Sequence, residues 1–427
     1  MMRLIICALL LITTIQVRGQ QIAKSENGVF ALTNATIHTV TNGTFEGTVL
    51  IRDGKIAGVG KVQIPTGAKI IDCSGLEIYP GMIDAGTTLG LKEIGSVSLT
   101  KDSDEIGNIT PHMKALTAVN PNSVLIPVTR VSGVTTVLTK PTGGLFPGTA
   151  AVINLHGYTP EQMHIGEDII IMNYPSSGRR GRRDSRSEED MKKAEEKALK
   201  KLNDVWEEAA LYSRIDMEGG KDAIGYNPAI EALAPATRGD VVVHIAVNQK
   251  KDILSALRWI KKNEVNAVLT GVTEGWLVAD SIAAAGIPVI TGPVLSIPRR
   301  RSDRYDVAYK NAGVMSKAGV EVAIRTNNSE NVRNLPYNAG FAAAYGMGRD
   351  EALKSVTINP ARILGVDNEL GSIETGKMAN LFVADGDIFE TKTQVKYLFI
   401  KGWQIPMESR HTLLYDEFLN REPGLQD

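Results

Sequence analysis

The chain has 427 residues, 43% of them hydrophobic and 22% charged, and its Lys+Arg 47 against Asp+Glu 48 give a formal net charge of −1. That length exceeds one ordinary domain and suits a large core with a smaller module beside it, and the composition is that of a globular protein. Charge this closely balanced gives no electrostatic ground for nucleic acid or an anionic membrane as partner, so neither is expected.

Residues 1–19 combine a basic start at Arg3, an apolar run from Leu4 to Ile15 and a small residue, Gly19, ahead of Gln20 and Gln21. This is the pattern of a secretory signal peptide, and the run is too short to cross a bilayer core of ~30 Å. Removing it takes Cys7 away and leaves Cys73 as the sole thiol, so no intrachain disulfide forms. Export without disulfides points to a bacterial periplasm. Asn34, Asn42, Asn108 and Asn327 each open an Asn-x-Ser/Thr triplet, a match short enough to arise by chance.

Residues 30–79 read as short strands at 30–32, 35–40, 47–51, 55–59 and 69–72, with Asn42-Gly43 and Asp53-Gly54 as hairpin signals. His38 falls in a half-buried strand pattern, as a packing or surface residue. Pro80-Gly81 is a turn signal into the apolar start Met82-Ile83. A polar stretch, 92–111, then carries Asp102, Asp104 and Glu105, with His112 after it. Those carboxylates either line a site beneath the loop or serve as solvated capping groups. Residues 132–138 have a buried-strand pattern, and the Gly- and Pro-rich 139–148 lacks the Lys-Ser/Thr ending of a phosphate loop. The cluster Arg179-Arg180-Gly181-Arg182-Arg183 reads as a surface loop, and Glu and Lys spaced three and four apart from Glu188 read as an exposed helix. Strands at 240–245, 267–270, 287–290 and 320–324 then alternate with helices at 250–263, 274–285 and 305–318. Such alternation argues for a parallel sheet; eight units of this kind close into a barrel with functional groups on the loops after the strands.

Two stretches carry a resemblance. Tyr79-Pro80-Gly81-Met82-Ile83-Asp84-Ala85-Gly86-Thr87-Thr88-Leu89-Gly90 resembles the first barrel strand of the amidohydrolase superfamily, where Asp-Ala is followed by His-x-His. Residues 351–365 and 371–381 resemble the family's C-terminal signature, and within the superfamily the likeness is to imidazolonepropionase-like and related exported members. The resemblance implies an α/β protein: a (β/α)8 TIM-like barrel over 81–365, and a small β-sandwich module formed from both chain ends, 24–80 and 366–410, in which strands within 381–403 complete the sheet.

It also implies a metal site, which this sequence departs from. Residues i and i+2 of a strand face the same way, so two histidines there reach one ion. Gly86 and Thr88 stand in those places. His244, after Val241-Val242-Val243, matches the fifth-strand histidine; 269–274 holds no histidine for the sixth; and Asn327 replaces the eighth-strand aspartate that accepts the proton of metal-bound water. His244 is read either as a pocket residue and metal ligand or as a buried neutral histidine. An amide cannot act as general base near neutral pH. His156 and Arg325 are expected to border the mouth, and His244, Asn327, Glu274, Asp102 and Asp104 are the catalytic candidates. Two functions follow. The family activity is hydrolysis of a carbon–nitrogen bond in a cyclic amide or related small molecule, with zinc or another divalent metal. The substituted residues favour a metal-free pseudoenzyme, without cofactor, that binds a small ligand or associates with an active homologue or with its own copies.

Overall fold

A computed structural model describes residues 24–178, 185–220, 225–298 and 303–421. The expected signal peptide and the arginine cluster 179–183 lie outside the described residues. No described helix is long and apolar enough to cross a membrane.

Two sheets organise the chain. The first takes β1 (Phe30–His38), β2 (Thr44–Arg52), β3 (Lys55–Gly60), β4 (Lys69–Asp72) and β5 (Glu77–Pro80) from one end, and it takes β14 (Leu381–Ala384), β15 (Val395–Ile400) and β16 (Trp403–Ile405) from the other. They run in one sheet, β16-β15-β14-β5-β1-β2-β3 with β4 also on β1, so both chain ends share a sheet as expected. Antiparallel pairing of β14 with β5, Leu381 opposite Pro80 and Ala384 opposite Glu77, joins the two chain ends. One face buries Phe30, Ile37, Ile51, Ile78, Leu381 and Phe399 together. His38 is half-buried in this sheet, its Nε2 2.7 Å from Glu77 Oε2 and its ring stacked 4.3 Å from Tyr79.

The second sheet is a nearly closed barrel of eight strands: β6 (Met82–Thr87), β7 (Val134–Thr139), β8 (Gly148–Asn154), β9 (His164–Asn173), β10 (Val243–Val247), β11 (Ala267–Gly271), β12 (Val289–Thr291) and β13 (Val322–Ile324). Contrary to the all-parallel expectation, β8 runs antiparallel to both neighbours. The cause is local: residues 140–147 between β7 and β8 contain no helix to carry the chain back, and their Pro141, Gly143, Gly144 and Pro147 shape a hairpin turn instead. Reversal also corrects the place of His156. Following β8, it emerges at the end of the barrel opposite the mouth and packs 5.7 Å from Trp403 of the first sheet.

The barrel floor is apolar, Ala85, Val268, Ile290 and Ala323 closing on Ile363 of the helix Ile358–Ile363. A buried polar cluster ties the two sheets together. Asn380 Nδ2 donates to Asn154 Oδ1 at 2.6 Å, Thr136 Oγ1 donates to the same oxygen at 3.0 Å, and Gly81 N donates to Asn380 O at 2.9 Å. The helix predicted at 250–263 spans Lys250–Asn263, its apolar face buried through Ile253, Ala256, Leu257 and Ile260. The exposed helix runs Glu188–Met217, longer than its charged start suggests, because Leu202, Val205, Trp206 and Ala209 anchor its second half.

Candidate functional site at the barrel mouth

Strand alternation sets what faces inward. One step beyond the apolar floor, at i+2 from Val242 and Ala323, come His244 and Arg325. Beyond the ends of β10 to β13 opens a cavity of about 290 Å³. Its polar lining includes Asn248, Thr273, Glu274, Asn311, Arg325 and Asn327, with Trp276, Pro293, Val294 and Ile297 among the apolar residues. Asn311 holds the wall: its Nδ2 donates to Val272 O at 2.9 Å and Thr291 Oγ1 at 3.1 Å, and its Oδ1 accepts from Trp276 N at 2.9 Å. Asn338 does the same next door, its Oδ1 accepting from Val294 N at 2.8 Å and Leu295 N at 3.0 Å.

Asp84 stitches the barrel seam. Fully buried, it accepts from Gly86 N at 3.0 Å, from Thr326 N at 3.2 Å and from the Thr326 hydroxyl, bonding β6 to the segment after β13. Asn327 N donates to Gly86 O at 3.0 Å across the same seam. Desolvation pushes the Asp84 carboxyl up to about 6, against those hydrogen bonds and the nearby Arg325 charge, so it is ionised at neutral pH.

Arg325 is 6% exposed and its guanidinium, lowered to about 10 by burial with Asp84 opposing, remains charged. Lys140, the residue after β7, is half-buried; desolvation first, then the Arg325 charge, pulls its ammonium down to about 7 against Asp84. His244, 1% exposed, is driven to about 3 by burial and then by Arg325 and Lys140, which fixes it as neutral imidazole. The Nε atom of Arg325 and Nε2 of His244 are both sealed from solvent without a hydrogen-bond partner.

Arg325 also occupies the space where the resemblance puts a strand-one histidine. A Cβ on Gly86 would stand 2.9 Å from Arg325 Cδ and 3.5 Å from its Nη1. The donors for a metal therefore do not fit. Glycine supplies none, the matching volume holds a cation, Thr88 and Asn327 are neutral, and among the described residues no group of three or more His, Cys, Asp or Glu could hold an ion. A catalytic zinc takes about three protein ligands.

The other candidates separate. Asn327, left-handed at φ 52°, and Glu274, whose Oε2 accepts from Lys250 N at 2.8 Å, line the cavity. His244 belongs to the layer below and does not line it. Asp102 and Asp104 are exposed elsewhere, because 92–111 folds against the β7–β8 connection: Asp104 bridges Thr142 and Ile109 bridges Phe146. Asp84, Lys140 and Asn311 were not singled out in the sequence; a lysine directly after a fully buried strand was the available sign for Lys140.

The site thus sits on a nearly closed barrel, with its polar groups beyond the ends of β10 to β13, beside a sheet built from both chain termini. The Amidohydrolase family pattern matches residues 241–405. Imidazolonepropionase of Symbiobacterium thermophilum is 23% identical over 415 residues, covering 87% of this chain and 90% of that protein. D-hydantoinase of Geobacillus stearothermophilus is 40% identical over 86 residues, a match that spans 18% of its length and 20% of this chain. The crystal structure of an amidohydrolase from Thermotoga maritima MSB8 superposes with a TM-score of 0.77 at 25% identity, over 88% of this chain and 99% of that one. Together these likenesses support the amidohydrolase superfamily and a kinship with hydrolases of carbon–nitrogen bonds.

Proposed function

We propose that this chain is a carbon–nitrogen hydrolase relative whose mouth holds a small molecule without a catalytic metal. The observation that carries the reading is the Arg325 side chain lying over Gly86, since an ion at that point would face a guanidinium in place of imidazole. Like charges so close in a desolvated site are strongly disfavoured. Asn327 agrees with this: a carboxylate there would have no ion to activate, and an amide binds a ligand without carrying charge. We further propose export by the 1–19 leader to a bacterial periplasm and association with an active homologue or a second copy.

A second reading, hydrolysis of a cyclic amide with a different base, is favoured by the imidazolonepropionase and D-hydantoinase relatives and by Lys140, whose amine is partly neutral at pH 7. In it Lys140 takes the proton of an attacking water, and Arg325 faces the oxyanion. The discriminating experiment is a ring-opening assay on hydantoin and dihydrouracil with chelator-treated and zinc-loaded protein. The first reading expects no turnover in either. Zinc-dependent turnover contradicts it, whereas metal-independent turnover lost in Lys140→Met supports the second.

A further inference from the structure

The helix Arg410–Leu419 is the last element of the described chain, and none of its residues is buried. It starts on a reciprocal cap: Ser409 Oγ accepts from Thr412 N at 3.3 Å, and Ser409 N donates to Thr412 Oγ1 at 2.9 Å. His411, Leu414, Tyr415, Phe418 and Leu419 recur at i, i+3, i+4, i+7 and i+8, the spacing of a single apolar helix face. Such a face ordinarily turns to a core, yet Tyr415 is 65% exposed and Phe418 55%. Beside it Leu413 and Leu414 form an open groove with Val124 and Pro127. At roughly 200 Å² per aromatic side chain, the two rings leave about 240 Å² in water on each copy. With the exposed leucines and Val124 added, two such faces together approach the ~1,000 Å² of a specific association.

The charges along this helix select the occupant. Arg410 and Glu417, seven residues apart, share one flank of the apolar face. Among the described residues Arg410 and Asp416 have no ion pair, and Glu417 has an exposed one to Arg421 at 2.9 Å. A second copy laid antiparallel across a two-fold axis sets its Glu417 against Arg410 and its Arg410 against Glu417, whereas a parallel copy opposes like charges. An anionic bilayer would meet Asp416 and Glu417 and be repelled. We infer that the helix Arg410–Leu419 is a self-association surface, pairing antiparallel with the same helix of a second copy of this chain. This gives a place to the self-association proposed above and depends on nothing in the barrel mouth.

The test is sedimentation velocity of the full folded chain over a wide range of concentration, at low and high salt, with hydrogen exchange read over 410–421. The expected result is a dimer whose dissociation constant rises with salt and which Phe418→Glu converts to folded monomer. Arg410→Glu should weaken the dimer at least several-fold, because each change counts twice across the axis, and adding Glu417→Arg should restore it. Should Phe418→Glu fail to fold, those charge variants carry the test. A dimer undisturbed by Phe418→Glu and Arg410→Glu overturns this inference and leaves self-association to another surface. Failure of Glu417→Arg to rescue Arg410→Glu overturns the antiparallel pairing. A monomeric parent removes both this inference and the proposed self-association, whether it binds vesicles of anionic phospholipid or shows its helix already protected from exchange, and leaves the metal-free reading untouched.

Discussion

Gly86→Ala is the smallest change that probes the centre of the mouth. The added Cβ would lie 2.9 Å from Arg325 Cδ. Carbon atoms rest at about 3.5–4.0 Å, so the overlap is roughly 0.6 Å or more. Gly86 is not among the glycines with positive φ, so the cost is one of packing and not of backbone conformation. Arg325 is 6% exposed and has little room to retreat, and overpacking of this kind costs about 1–3 kcal/mol. In an Arg325→Ala background the methyl meets space instead, and its own cost should fall below about 0.5 kcal/mol. The double-mutant cycle therefore predicts a coupling of about 1–3 kcal/mol between the two positions, within the range of residues in contact. Urea unfolding of the parent, both singles and the double, followed by tryptophan fluorescence, measures it. Additive effects of the two substitutions would refute the claim that Arg325 fills the space over Gly86.

Gly81→Ala should be costlier still, since its Cβ would fall 2.2 Å from Thr135 Oγ1 at the junction of the two sheets; a Tm unchanged from the parent would contradict that packing. Truncation after Gly365 removes β14 to β16 and strips β5 of its antiparallel neighbour, leaving only β1 beside it, so soluble expression should be lost; a folded, monodisperse product would show those strands dispensable. Lys140 titrates near 7 when folded against 10.5 as the ordinary value, so between those limits the unfolded chain binds the extra proton and stability rises with pH. Lys140→Met should flatten that rise between pH 7.5 and 9.5, and a parent whose stability is level over the same range would show the ammonium not to be desolvated.

Periodicity made much of this fold legible. The helix Lys250–Asn263 shows its apolar spacing plainly, and Asn42-Gly43 and Asp53-Gly54 mark the turns after β1 and β2. The reversed strand β8 escaped because a fully buried strand, Gly148–Asn154, shows no alternation, and nothing in its own residues states its direction. Substitution at Gly86, Thr88 and Asn327 was visible as missing donors. That Arg325 fills the volume above Gly86 was not, because the two meet only where β6 and β13 come together across the barrel seam, 239 positions apart in the chain. Asp102 and Asp104 stayed open between two readings for the converse reason: acidic residues in a long loop look the same whether they line a site or stand exposed, as both do here.

Elemental analysis of the protein purified without chelators bears most directly on the central claim. Arg325 over Gly86, with Asn327 and Thr88 in place of charged or imidazole ligands, predicts far less than one equivalent of zinc, iron or manganese per chain. Near-stoichiometric metal that disappears when His244 is replaced would contradict it.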